Sequence, residues 1–159
     1  MKQSPSDAAA GAVPRDTPLV IGWKEYAALP DWDVRRLKVK VDTGARTSAL
    51  DAVSYDLEEV AGVGLVARLR LALDRKHPDR LTVVQAPVVK MIVVRSSTGM
   101  SEQRPVVETR VRLGPWCKPV RLSVTNRAGM LFRVILGRKA LAGEFVVDVS
   151  KKYLLRKSP

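Results

Sequence analysis

The sequence predicts an all-β fold, a small barrel or sandwich, and three features carry that expectation. Apolar residues occupy every second position from Val63 through Leu65, Ala67, Leu69 and Leu71 to Leu73, with Arg68 and Arg70 between them, the period-two pattern of a half-buried strand. The alternation returns at Val107, Thr109, Val111 and Leu113 and again at Val120, Leu122 and Val124. Turn formers such as His77-Pro78, Gly114-Pro115 and Asn126 separate these runs, and hardly any stretch has helical periodicity.

Taken in order, residues 1–17 are small, polar and punctuated by proline, which predicts a disordered tail and places the domain at 18–159. Leu19 to Trp23 suits a first strand, and Lys24 to Arg36, with Pro30 and two aspartates, reads as a connection. Val39 and Val41 alternate with Lys38 and Lys40 in the strand that follows. Extended structure is expected around Ser48 to Val53 and a clear strand over Val63 to Leu73. Leu81 to Ala86 and Val88 to Arg95 are β-branched runs broken by Pro87, hence two strands or one interrupted edge strand. The small-residue loop Ser96 to Arg104 then joins two β runs as a mobile hairpin. Phe132 to Leu136 is a further apolar run, Lys139 to Leu141 a short helical turn, and Phe145 to Val149 with Tyr153 to Leu155 complete the β content.

With 159 residues and 46% apolar content, the chain suffices for one domain with a real core. The 28 Lys and Arg against 16 Asp and Glu leave a net +12, which favours acidic partners without choosing among them. Aromatics are only 5% of residues, and the tryptophans are scattered with no arginine-aromatic ladder, so nucleic acid is not an expected partner. A single cysteine, Cys117, excludes an intrachain disulfide, and a single histidine, His77, leaves no paired-histidine zinc motif. No apolar run approaches a membrane span and no secretory core opens the chain, which gives the expectation of a cytoplasmic protein without a membrane partner.

The stretch that carries chemistry is Leu37 to Leu50, where a strand stops at Asp42-Thr43-Gly44-Ala45. A carboxylate at the mouth of a buried strand needs hydrogen bonds around it; Thr43 adds a hydroxyl, and Gly44 lets backbone N–H groups come close. Those are the parts with which a carboxylate activates water, and they are also ordinary residues of a tight turn.

The order of motifs decides between these readings. Asp42-Thr43-Gly44-Ala45, a hairpin at Ser96 to Ser101 and a strand ending Ile135-Leu136-Gly137-Arg138 before a helical turn resemble the retropepsin-like aspartic peptidases. More closely, Lys40 to Leu50, Ser96 to Arg104, Val111 to Gly114 and Met130 to Leu155 resemble the bacterial family catalogued under the name "ATP-dependent zinc protease". The resemblance implies a small closed barrel of the single-lobe acid-protease type with one short C-terminal helix. The catalogued name sits badly with this chain, which has no glycine-rich phosphate loop and no zinc ligand set, so no cofactor and no metal site is expected. Asp51 stands where family members often carry a histidine.

The same resemblance implies a mechanism. One Asp-Thr-Gly per chain supplies one carboxylate, whereas the chemistry needs two sharing a proton, so the active form is expected to be a homodimer. Asp42 would be catalytic, Thr43 would brace the opposite loop, Gly44 would admit the substrate, and Ser97, Thr98 and Gly99 would form the tip of a closing flap. Ala45, in place of a hydroxyl residue, would let the dyad keep its proton to higher pH. Arg46 replaces the aspartate that pairs with the Gly-Arg arginine in many retroviral relatives, so Arg46 and Arg138 would lie close with their acidic partner missing. Either Glu102, Glu108 or Asp51 fills that place, or an acidic peptide substrate does. Some relatives are encoded beside or fused to ATP-grasp ligases that add glutamate to a ribosomal protein. A binding module that modulates such a ligase is therefore the alternative function.

Overall fold

The computed structural model describes residues 17–95, 97–126 and 131–155. The tail expected over 1–17, apart from Thr17, lies outside the described residues, as does Ser96 of the hairpin loop. The chain runs β1 (Leu19–Gly22), β2 (Lys24–Leu29), a single 3-10 turn (Pro30–Trp32), β3 (Val34–Val41), β4 (Ser48–Asp51), β5 (Ser54–Val60) and β6 (Gly64–Leu71). It continues with β7 (Thr82–Arg95), β8 (Ser101–Leu113), β9 (Trp116–Thr125), β10 (Val134–Leu136), the short helix α1 (Arg138–Leu141) and β11 (Phe145–Asp148).

Six strands close a barrel in the order β2-β3-β10-β4-β9-β8, the ring being completed where Ala28 of β2 pairs with Arg112 of β8. This is the all-β closed barrel with one short helix that the sequence predicts. Alternation decides which side chains enter it: Val34, Leu37, Val39 and Val41 of β3 are buried while Arg35, Arg36, Lys38 and Lys40 are exposed. Val39, Leu50, Val111, Leu122, Val134 and Leu136, one or more from each of five barrel strands, are fully buried, so the interior is a packed core.

Beyond the ring, β7, β6 and β5 extend the sheet from β8. Pro87 does not split β7. The strand pairs with β6 up to Pro87 and with β8 from Val88 onward, with a register shift between Val88 and Lys90. A residue without an N–H thus sits where the ladder changes partner.

Three segments differ from the sequence reading, one of them Ser54–Val60, a strand where no alternation announces one. Lys24 to Leu29 is a strand, not a connection, and its inward position at Glu25 is occupied by a carboxylate with no exposure. Tyr153 to Leu155 forms no strand; residues 151–155 cross β1 and β2 as a strap. Trp23 N–H donates to the Lys151 carbonyl and Tyr153 N–H to the Lys24 carbonyl, both at 2.9 Å. Glu25 completes the fastening by accepting from the N–H groups of Gly22 at 2.7 Å, Leu154 at 2.9 Å and Leu155 at 3.1 Å. β1 pairs in parallel with β11, Val20 facing Val146.

Candidate active site

β3 delivers Asp42 to the barrel's edge, and hydrogen bonds from three directions fix it there. Val41 N–H donates to the Trp23 carbonyl at 2.8 Å, and Asp42 N–H donates to the Leu136 carbonyl at 2.9 Å. The half-buried Asp42 side chain accepts from the Gly44 N–H at 3.0 Å through Oδ1. A Cβ on Gly44 would stand 3.3 Å from that same oxygen, so the glycine keeps the carboxylate's near side open. Ala45 N–H closes the turn on the Asp42 carbonyl at 3.2 Å.

The loop is locked to the start of α1. Arg138 N–H donates to the Ala45 carbonyl at 2.8 Å and Lys139 N–H to the Arg46 carbonyl at 3.0 Å. Arg138 Nη1 donates to the Thr43 carbonyl at 3.0 Å, and Gly137 N–H donates to Ser48 Oγ, also at 3.0 Å. Gly137 has no substitute here, because any Cβ would overlap the Thr47 backbone and stand 2.9 Å from the Ala45 carbonyl oxygen. Asp42, Thr43, Gly44, Ala45, Arg46 and Arg138 are therefore one bonded unit built from two distant stretches.

Ser97, Thr98 and Gly99 sit elsewhere, at the exposed tip of the β7–β8 hairpin, with Gly99 at a φ of +86° that favours glycine. The hairpin's paired arms run from Val88↔Val107 out to Arg95↔Ser101. Its arm borders a cavity of about 410 Å³ walled by Thr47 and Ser48 after the loop, Lys90 and Ile92 of β7, and Lys139 of α1, but by none of Asp42 to Arg46. Two glutamates on its wall are already engaged: Glu144 accepts from Lys118 Nζ at 2.9 Å and from Trp116 Nε1 at 2.8 Å, and Glu108 pairs with Arg121 at 3.3 Å. The Lys118 ammonium, followed by the Trp116 N–H, holds the Glu144 carboxyl below its ordinary value.

The internal carboxylates considered for Arg46 and Arg138 are committed to other arginines. Glu102 pairs with Arg104 at 3.0 Å, Glu108 with Arg121, and the buried Asp51 with Arg133 at 3.6 Å. Among the described residues Arg46, which is exposed, makes no ion pair. The cavity lysines Lys90 and Lys139 escape a reading of the sequence, because only the topology brings β7 and α1 together. Among the described residues no three His, Cys, Asp or Glu side chains gather as a metal site would, and no helix is long and apolar enough to cross a membrane.

The model of the family described as "Retropepsin-like aspartic endopeptidase RimB" matches residues 20–158. The chain belongs to this RimB-like family. A crystal structure of Lpg0085 from Legionella pneumophila, a protein described as of unknown function, shares the fold with a TM-score of 0.73 at 24% identity, over 87% of this chain and 99% of that one. Several curated relatives bear the name "Probable alpha-L-glutamate ligase". The one from Desulfotalea psychrophila is 33% identical over 81% of this chain, that from Parasynechococcus marenigrum 32% over 82%, and that from Shewanella pealeana 33% over 88%. The chain spans less than a third of their length, 28%, 28% and 30% respectively.

Proposed function

We propose that the protein is an aspartic endopeptidase that works as a homodimer, with Asp42 of each copy in one shared site. The observation that carries this reading is the Asp42 carboxylate, half-buried at the end of a barrel strand and held by the Gly44 N–H in a loop tied down by Arg138. One Asp42 takes a proton from water as the water oxygen attacks the peptide carbonyl carbon; the other, protonated, donates to the carbonyl oxygen. Collapse of the tetrahedral intermediate breaks the C–N bond, and the amine leaves with a proton from the dyad. The Ser97-Thr98-Gly99 hairpin closes over the substrate as a flap, and Thr43 braces the partner loop.

Acidic peptides are the favoured substrates. Arg46, which makes no ion pair among the described residues, Arg138 at the start of the helix bonded to its loop, and Lys90 and Lys139 on the nearby cavity wall together support a site that attracts carboxylates. The names of the curated relatives favour a second reading, in which the domain is a non-catalytic module that modulates an ATP-grasp glutamate ligase.

The test is purified parent beside Asp42→Asn on glutamate-rich and neutral peptides, at low and high salt. The expected result is cleavage by the parent alone, faster on acidic peptides at low salt, carried by a species that sediments as a dimer, and indifferent to a chelator. Cleavage by Asp42→Asn, or by a strictly monomeric species, sinks the dyad. Zinc-dependent cleavage would restore the catalogued name, and no cleavage by either form together with an equal effect on a ligase would leave the module reading in its place.

A further inference from the structure

We infer that the outer face of β2–β3, apart from the Asp42 site, is a binding surface for a single-stranded nucleic-acid backbone. Lys24, Arg36, Lys38 and Lys40 lie on this face, and the strap adds Lys151 and Lys152 next to Trp23 and Lys24. Among the described residues none of these six cations makes an ion pair; the arginines, lysine and histidine that do are all elsewhere. The register places Lys24 directly opposite Lys40, a cross-strand arrangement that costs stability unless an anion lies over it.

The chemistry of the face distinguishes its ligand. Arg36, Lys38 and Lys40 alternate along one strand, so their side chains emerge about 6.6 Å apart in a line, suited to successive phosphates of one extended strand. Beside that line the Arg36 guanidinium lies 3.8 Å from the Tyr26 ring centre, Tyr26 stacks on Tyr153 at 4.3 Å and 15°, and Lys24 Nζ caps Tyr153 at 5.2 Å and Trp23 at 4.7 Å. An arginine beside a pair of stacked aromatic rings offers what single-stranded nucleic acid needs, a cation for its phosphates next to ring faces and a guanidinium on which bases stack. A carboxylate-bearing peptide uses the cations and leaves the aromatic rings beside them without a role. The ladder escapes the sequence because Tyr26, Arg36 and Tyr153 come from two strands and the strap.

The experiment is fluorescence anisotropy of a labelled oligouridylate, and separately an oligothymidylate, titrated with the full chain across a salt series. Binding is expected with log K falling linearly in log salt, by about 0.7 per phosphate contacted. Arg36→Glu with Lys38→Glu is expected to weaken it at least tenfold and Arg36→Lys several-fold, while Asp42→Asn binds as the parent. Circular dichroism checks the folding of each variant, and Lys40→Glu serves in place of the double variant if that fails to fold. Binding to either oligonucleotide that is lost on charge reversal supports the proposal. It is overturned by no binding to either at low salt, by charge-reversed protein binding as the parent does, or by polyglutamate displacing the oligonucleotide at matched charge concentration, which would make an acidic protein the occupant.

Discussion

Arg138 Nη1 donates to the Thr43 carbonyl oxygen at 3.0 Å, so a guanidinium adds to the backbone bonds at Ala45 and Arg46 in holding the far side of the Asp42 turn. Arg138→Ala is expected to lower stability by about 1 kcal/mol, the value of an ordinary hydrogen bond and below that of a buried charged one, because the side chain is exposed. Its effect on cleavage should be larger than its effect on the urea midpoint. Equal cleavage by Arg138→Ala and parent would show that the loop holds its geometry without this bond.

Gly137 is the tightest point of the site. Gly137→Ala is expected to cost about 1–3 kcal/mol by overpacking against backbone that has no rotamer to yield. Chemical denaturation measures this, and an unchanged midpoint would mean that the Thr47 backbone moves aside freely.

These two positions also show what the sequence reveals. The Asp42 loop, the alternating strands around Val107 and Val120, and the Gly137-Arg138 segment are legible because local pattern and local structure agree there. Lys24–Leu29 is illegible as a strand because Glu25 puts a carboxylate at an inward position. Ser54–Val60 escapes because its residues are exposed or half-exposed throughout, so it has no apolar face to alternate with a polar one. The bonds of Arg138, the cavity lysines and the Arg36-Tyr26-Tyr153 stack depend on which elements become neighbours, which no window of sequence encodes.

Glu25→Gln is the sharpest test of the strap. Three backbone N–H groups converge on the carboxylate, and an amide offers them one acceptor oxygen and an N–H₂ that opposes donors. A loss on the order of 3 kcal/mol is expected, together with faster hydrogen exchange at Leu154 and Leu155. A variant as stable as the parent, with those amides still protected, would show that the strap holds by its other contacts.

Acid should release the Glu144 pairings. Its carboxyl titrates below the usual 4.5 because of Lys118 and Trp116, so the stability it contributes is fully present above that value and is lost as the pH falls through the lowered one. Glu144→Gln is expected to be less stable than the parent at neutral pH and to approach it in acid. Urea midpoints at both conditions measure the difference, and a gap that stays constant would assign the pairing no net role.

The clasp at Glu25 couples an early part of the chain to a late one, since its acceptors in β2 wait for donors at Leu154 and Leu155. β1 likewise finds its strand partner only in β11. During synthesis the nascent chain therefore carries an unfilled buried carboxylate and an unpaired first strand until residue 155 has cleared the exit tunnel. Folding from the N-terminus therefore leaves the Glu25 clasp and the β1–β11 pair as late contacts, made after all six strands of the ring, the last of which ends at Leu136, have been synthesised.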